Sequence, residues 1–284
     1  MVVYPDPMRI LIVGATPLTL RLQSVFDDYW DNHQCVLVDS PDLRAFNEFA
    51  PHIVVNGGYW ETDSPKAFVN NSRDPATCAL YARMVDASYF HLSDSSVFSM
   101  NRPSDTDDPY PTRIYGLSRL LGERAVRALH PKAAIVRTSW LYGPDLPESP
   151  PMIAHSAAIG ERSRAHVYDD VLLNPTYVGD AAGTLAINIV ASSVTKDIGG
   201  TYHLSPERTC SWFAFLRDDY DVLPVKLKGY GPDGVRRVKD LSVEPSPGWT
   251  INDGGLNRFK LELETGRWDW TGGFSIGNTA SGAR

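Results

Sequence analysis

The stretch from Met8 to Leu20, MRILIVGATPLTL, decides how this chain is read. Met8 to Val13 is a short apolar run that ends on Gly14, the pattern of a buried strand entering a tight turn. From Leu18 to Trp30 the apolar residues recur at helical spacing. Working outward, Cys35 to Val38 is a second apolar run ending at Asp39, and Ile53 to Val55 a third ending at Asn56-Gly57-Gly58. A helical segment near Ala76 to Ala87 leads into a fourth strand, Tyr89 to Leu92. Ile114 to Leu129 has helical periodicity and precedes a fifth strand, Ala133 to Val136. Strands alternating with helices predict an α/β fold, a doubly wound parallel sheet of the Rossmann type.

After Gly143 the pattern changes. Pro144 to Pro151 holds four prolines and predicts a loop. Short α and β pieces follow. The expected organisation is a nucleotide-binding domain over 8–143, then a smaller α/β substrate portion over 144–270 that exchanges some chain with the first. A Gly/Ser-rich tail over 271–284 is expected to be mobile, and Met1 to Pro7 reads as a short irregular leader. Ligands of such sheets bind outside the strand carboxyl ends, so the two parts should enclose a cleft.

Composition narrows the classes. Apolar residues make up 43% of 284, enough for a sizeable core. The net charge is −7 and no Lys/Arg run occurs, which argues against general nucleic-acid binding. No apolar stretch reaches the length of a membrane span, and no signal-peptide pattern opens the chain. Cys35, Cys78 and Cys210 lack metal-ligand spacing, as do His91, His166 and His203, so no metal is expected. The thiols read as reduced and the protein as cytoplasmic.

Several segments together resemble the dTDP-4-dehydrorhamnose reductase family of extended short-chain dehydrogenases. They are MRILIVGAT at 8–16, PHIVVN at 51–56, Asn71, LSDSSVF at 92–98, YGLSRLLGE at 115–123 and RTSWLYG at 137–143. Asn174-Pro175-Thr176, GTYHL at 200–204 and Ser211-Trp212 extend the resemblance, which runs from about 8 to 268. It implies NAD or NADP as cofactor and a nucleotide-linked sugar as small-molecule partner. It also implies a homodimer through the Tyr115 helix.

The resemblance makes Gly14, Thr16, Asn56, Asp39 and Arg119 the candidate cofactor residues. Asp39 is also the acidic residue at a strand end that would accept hydrogen bonds from an adenosine ribose. The family's glycine-rich turn, however, reads Gly-Ala-Thr-Gly-x-x-Gly, and here Pro17 and Leu20 replace the last two glycines. Proline offers no N–H to a pyrophosphate, and Leu20 should crowd the contact between helix and strand. The stretch between the second and third strands is short for the family, which weakens the adenine pocket further.

The family's catalytic Ser/Thr, Tyr and Lys correspond here to Asp94, Tyr115 and Arg119. Tyr115 and Arg119 lie four apart on one helix and share a face. The guanidinium is expected to lower the Tyr115 pKa as the family's lysine does. Asp94 is the more serious change, because a carboxylate cannot donate a hydrogen bond to a ketone oxygen and repels a developing alkoxide. It could pair with Arg119 structurally or act as a general base. Ser95 and Ser96 could take over the lost hydroxyl. Ser139 and Trp140, with Asn174 and Thr176, are the remaining candidate substrate contacts.

Three functions stay open at this point. The first is a protein that binds a sugar nucleotide or related metabolite and performs altered, non-hydride chemistry in the Asp94/Tyr115 cleft. The second is an NAD(P)H-dependent reductase of a nucleotide-linked 4-keto-6-deoxyhexose. The third is a non-catalytic regulatory or binding subunit, for which the related regulatory subunit of methionine adenosyltransferase is a precedent.

Overall fold

The computed structural model describes residues 7–30, 32–57, 65–99, 102–160, 164–195, 198–228 and 239–268. The expected tail over 271–284, nearly all of the Met1 to Pro7 leader and Gly58 lie outside the described residues. The first half of the chain alternates as its periodicity predicts. It runs β1 (Arg9–Val13), α1 (Pro17–Tyr29), β2 (Gln34–Val38), α2 (Leu43–Phe49) and β3 (Ile53–Asn56). Next come α3 (Pro65–Phe68), a π turn (Val69–Arg73), α4 (Asp74–Met84) and β4 (Ser88–Asp94). A 3₁₀ turn (Ser95–Val97), α5 (Ile114–Leu129) and β5 (Ala134–Thr138) complete this half.

The second half is more broken. It holds β6 (Leu141–Tyr142), α6 (Pro150–Ile159), β7 (Ala165–Tyr168), β8 (Leu172–Leu173), β9 (Thr176–Tyr177) and the long α7 (Val178–Thr195). β10 (Gly200–Pro206), β11 (Cys210–Ser211), α8 (Trp212–Leu216), β12 (Val222–Val225), β13 (Thr250–Ile251) and α9 (Gly255–Thr265) follow. No helix among the described residues is long and apolar enough to cross a membrane.

The described residues build a seven-stranded sheet in the order β13-β10-β5-β4-β3-β1-β2, with every pairing parallel. The chain winds from β1 outward to β2, then returns past β1 to β3. Strand order therefore reverses at β1, and the topological switch point lies between the carboxyl ends of β1 and β3. β10 and β13 are drawn from beyond residue 143 into the same sheet.

Both sheet faces are buried, as a parallel sheet requires. Ile10, Ile12, Phe90, Leu92 and Val136 point into one core with Leu22, Val25 and Phe26 of α1 and Leu185 of α7. Leu11, Val13, Val54 and Tyr89 point into the other with Phe46 of α2, Ala79 and Ala82 of α4 and Val126 of α5. The alternation of β4 and β5 therefore aims His91, Ser93 and Arg137 at the α5 face.

Three local expectations are corrected. Pro150 and Pro151 open α6 rather than continue a loop, because a first helical turn needs no N–H there. The fourth helix begins at Asp74, not near Ala76, and is preceded by the π turn. Leu20 does not crowd the sheet: it is 49% exposed, while Thr19 is fully buried. Because α1 starts at Pro17, its helical phase turns residues 18, 19, 22, 25 and 26 inward and residue 20 outward.

Candidate active site

The site is assembled at the carboxyl ends of β1, β3, β4 and β5. Asp94 ends β4 and caps the 3₁₀ turn behind it, its Oδ1 accepting the Ser96 N–H at 2.9 Å. The opening turns of α5 cross above. α5 can come this close because Gly116 faces the Ser96 carbonyl oxygen, where a Cβ would collide. One and a half turns later Gly122 meets the Asn71 carbonyl of the π turn in the same way.

These close approaches bring Asp94, Tyr115 and Arg119 together. The Tyr115 hydroxyl donates to Asp94 Oδ2 at 2.6 Å. Arg119 Nε lies 3.0 Å from the same oxygen, and the guanidinium carbon is 6.0 Å from the Tyr115 ring centroid. Arg119 Nη2 donates to the Leu92 carbonyl at 2.9 Å, and Nη1 reaches the Asn71 Oδ1 at 3.4 Å. Asn71 is fully buried and donates in turn to Ser118 Oγ at 3.1 Å. The guanidinium is thus held from three sides by the protein and is 5% exposed.

The expected lowering of the Tyr115 pKa is not what this arrangement does. Burial raises it, the Asp94 carboxylate raises it further, and the opposing Arg119 charge does not compensate. Tyr115 is therefore a phenol that stays protonated. Arg119 stays charged: burial disfavours the cation, but Tyr115, Asp94 and Glu123 outweigh it.

One turn along α5, Glu123 receives a bidentate pair from Arg137, at 3.0 and 2.7 Å, with both side chains at most 5% exposed. Asp94, Arg119, Glu123 and Arg137 thus form a run of alternating charges under α5, of which all but Asp94 are buried. His91 lies on the same face with its Nδ1 3.1 Å from Asn56 Oδ1. Burial and then the Arg119 charge push its pKa down to about 3, so it is neutral.

The other candidates separate into two groups. Ser96 and Ser139 have buried hydroxyls without a hydrogen-bond partner among the described residues. Asp94 and Thr138 are paired neighbours in the sheet, so the residues that follow them, Ser95 and Ser139, leave adjacent strands side by side. Trp140, next along, is 46% exposed. These residues share the sheet edge with Asp94.

Asn174 and Thr176 do not present polar atoms there. Asn174 Nδ2 donates to the Pro206 carbonyl at 2.9 Å and its Oδ1 accepts the Val243 N–H at 2.8 Å. Thr176 donates to the Asn174 carbonyl at 3.0 Å, and both residues are fully buried. Asn174 braces the loop after β10 through the Pro206 carbonyl and the Val243 N–H.

At the other end of the cleft, the turn from β1 into α1 is closed on itself. Gly14 takes a φ of 93°, a conformation that favours glycine. Thr16 caps α1: its Oγ1 accepts the Thr19 N–H at 3.3 Å, while its own N–H donates to Thr19 Oγ1 at 2.8 Å. The Thr19 hydroxyl donates to the Gly14 carbonyl at 2.7 Å. Asn56 is buried, with its Oδ1 facing His91 and its Nδ2 3.6 Å from Cys78 Sγ. Asp39 follows β2 as an exposed residue. Among the described residues, no three His, Cys, Asp or Glu side chains converge on a metal position.

The site thus consists of a doubly wound parallel sheet with a Tyr-x-x-x-Arg helix against an Asp-ended strand. The family described as RmlD substrate binding domain matches residues 8–228. A dTDP-4-dehydrorhamnose reductase of Streptomyces griseus is 30% identical over 258 residues, spanning 84% of this chain and 82% of that protein. The spore coat polysaccharide biosynthesis protein SpsK of Bacillus subtilis is also 30% identical, over 63% of this chain and 64% of its own length. Among solved structures, a dTDP-4-dehydrorhamnose reductase of Bacillus anthracis in complex with NADP superposes with a TM-score of 0.77 at 25% identity. That superposition covers 91% of this chain and 99% of the other. The chain belongs to the dTDP-4-dehydrorhamnose reductase family.

Thr19, Asn71 and His91 complete the site, and two of them are easily passed over in the sequence. Thr16-x-x-Thr19 has the spacing of a reciprocal helix cap, with threonine in place of the usual Glu or Gln. His91 gives no signal in the sequence, because what matters is its burial beneath Arg119.

Proposed function

We propose that the Asp94/Tyr115 cleft binds a nucleotide-linked sugar and moves a proton on it without hydride transfer. The observation that carries this reading is the 2.6 Å bond from the Tyr115 phenol to a carboxylate, Asp94, where the family has a hydroxyl donor. Asp94 is the base. It takes the proton from a carbon next to the sugar ketone, and the C–H electron pair moves to the carbonyl oxygen. Tyr115, kept protonated, turns its O–H from Asp94 to that oxygen and stabilises the enolate. Return of the proton to either face of the carbon completes an epimerisation or an exchange. Arg119 holds the Asp94 carboxylate in place. Ser96, Ser139 and Trp140 are the substrate contacts. The relatives named for sugar-nucleotide and polysaccharide biosynthesis support the substrate class.

The test is proton exchange. The protein is incubated with a dTDP-4-keto-6-deoxyhexose in D₂O and the protons beside the ketone are followed by NMR. The expected result is protein-dependent loss of one signal, abolished by Asp94→Asn. Consumption of the ketone with oxidation of NADPH, and no exchange without it, would instead establish the reductase reading that the NADP-bound relative favours.

The apolar stripe Ile114, Leu117 and Leu121 on α5 is exposed, as are Leu80 and Met84 on the neighbouring α4. A pair of chains joined through this face is the proposed assembly.

A further inference from the structure

We infer that this chain holds its ligand without a dinucleotide, because the groove in which its fold would seat one is closed by the chain's own side chains at both ends. At the phosphate end, a doubly wound fold offers the N–H groups of its first helix to a pyrophosphate. In α1 the first of these is absent, since Pro17 stands there and has no N–H to offer. The third, of Thr19, is taken by Thr16 Oγ1, and the N–H just before the helix, of Thr16, is taken by Thr19 Oγ1. In this turn the Ala15 and Leu18 N–H groups are the ones without an acceptor among the described residues.

The same two threonines fill the switch point. A Cβ built on Gly57, at the end of β3, would stand 2.5 Å from the Thr19 methyl, 3.0 Å from the Gly14 carbonyl oxygen and 3.4 Å from Thr16 Oγ1. The crevice between β1 and β3 is therefore packed by the protein itself. At the nicotinamide end, Arg119 donates its Nη groups to the Leu92 carbonyl and Asn71 and is charge-paired with Asp94, to which Tyr115 is bonded. Neither side chain is left directed at a ribose. The reciprocal cap also satisfies two N–H groups at the start of α1 without any phosphate.

The inference is separable from the proposed substrate, since the two are read with different titrants. Calorimetric titration of the purified protein with NADPH, NADH, NADP and NAD is expected to give no heat up to millimolar concentration. Titration with dTDP reads the sugar-nucleotide site independently. Pro17→Gly with Thr19→Ala removes the ring, the methyl against Gly57 and the Thr19 hydroxyl's half of the reciprocal cap. It is expected to lower the melting temperature in the absence of ligand and to bring NADPH binding into the measurable range, a gain of tenfold or more. Pro17→Gly alone keeps the cap and serves if the double variant does not fold. Micromolar binding of any dinucleotide to the unaltered chain overturns the inference, whatever dTDP does. Silence of both the unaltered chain and the folded variants overturns the assignment of the closure to this turn.

Discussion

Asp94 governs the chemistry of its neighbours more than its own. Its carboxylate holds the Tyr115 phenol protonated and neutralises Arg119 within one 3 Å shell. Asp94→Asn should therefore lower the Tyr115 pKa, seen as tyrosinate absorbance appearing at lower pH, with Tyr115→Phe as the blank. The same substitution leaves a buried guanidinium without its counter-charge and should cost on the order of 3 kcal/mol in chemical denaturation. His203 carries a second residue-scale consequence. Burial, then the Arg137 charge, depress its pKa to about 4, so it is neutral in the fold and protonates more readily in the unfolded chain. Stability should be full above about pH 6.5, fall as pH drops toward 4, and lose up to roughly 3 kcal/mol over that range. His203→Asn keeps a donor for the Glu244 carbonyl and should flatten that fall. The candidate trio was legible in the sequence, since the end of β4 and the four-residue spacing on α5 place all three. The direction of the Tyr115 shift was not, because it depends on burial and on which oxygen the phenol meets. For Asn174 and Thr176 the sequence did not show that their polar atoms turn inward, which depends on how the chain folds around them.

At the scale of elements, α5 is fixed by what it lacks. Alanine normally stabilises a helix interior relative to glycine by about 0.5–1 kcal/mol. Gly122→Ala should do the reverse and destabilise by about 1–3 kcal/mol, since the new methyl meets the Asn71 carbonyl of the π turn. The paired variant at Gly116 should behave alike against Ser96, and thermal melts of both decide the sign. Lower on the same helix, Glu123→Gln strands Arg137 and should cost about 3–5 kcal/mol. Glu123→Leu with Arg137→Met should recover most of that loss, because an apolar pair needs no counter-charge. Alternation of apolar runs with helical spacing made the first-half strands and most of the helices readable. The π turn was not readable, since a single wider turn leaves no periodic trace in the sequence. The helical start at Pro150 was hidden because proline signals a loop and a first helical turn alike.

For the whole molecule, the exposed stripe on α5 and α4 predicts a dimer whose seam is apolar. Leu117→Glu with Leu121→Lys should shift light-scattering mass toward the monomer while circular dichroism stays unchanged; a mass indifferent to both changes would sink the pairing. The sheet order also dictates when the protein can exist during its synthesis. The strands β2-β1-β3-β4-β5 come from residues 9–138, but the neighbour of β5 is β10 at 200–206, and β13 closes the row only at 250–251. A nascent chain paused near Gly143 thus carries a bare hydrogen-bonding edge on β5. It also lacks α7, which shares the core with Leu22, Val25 and Phe26 of α1. Such contacts between distant parts of a chain are slow to form, and the half-made sheet is exposed to association until they do. The polypeptide from α7 onward is therefore the part on which its escape from aggregation depends.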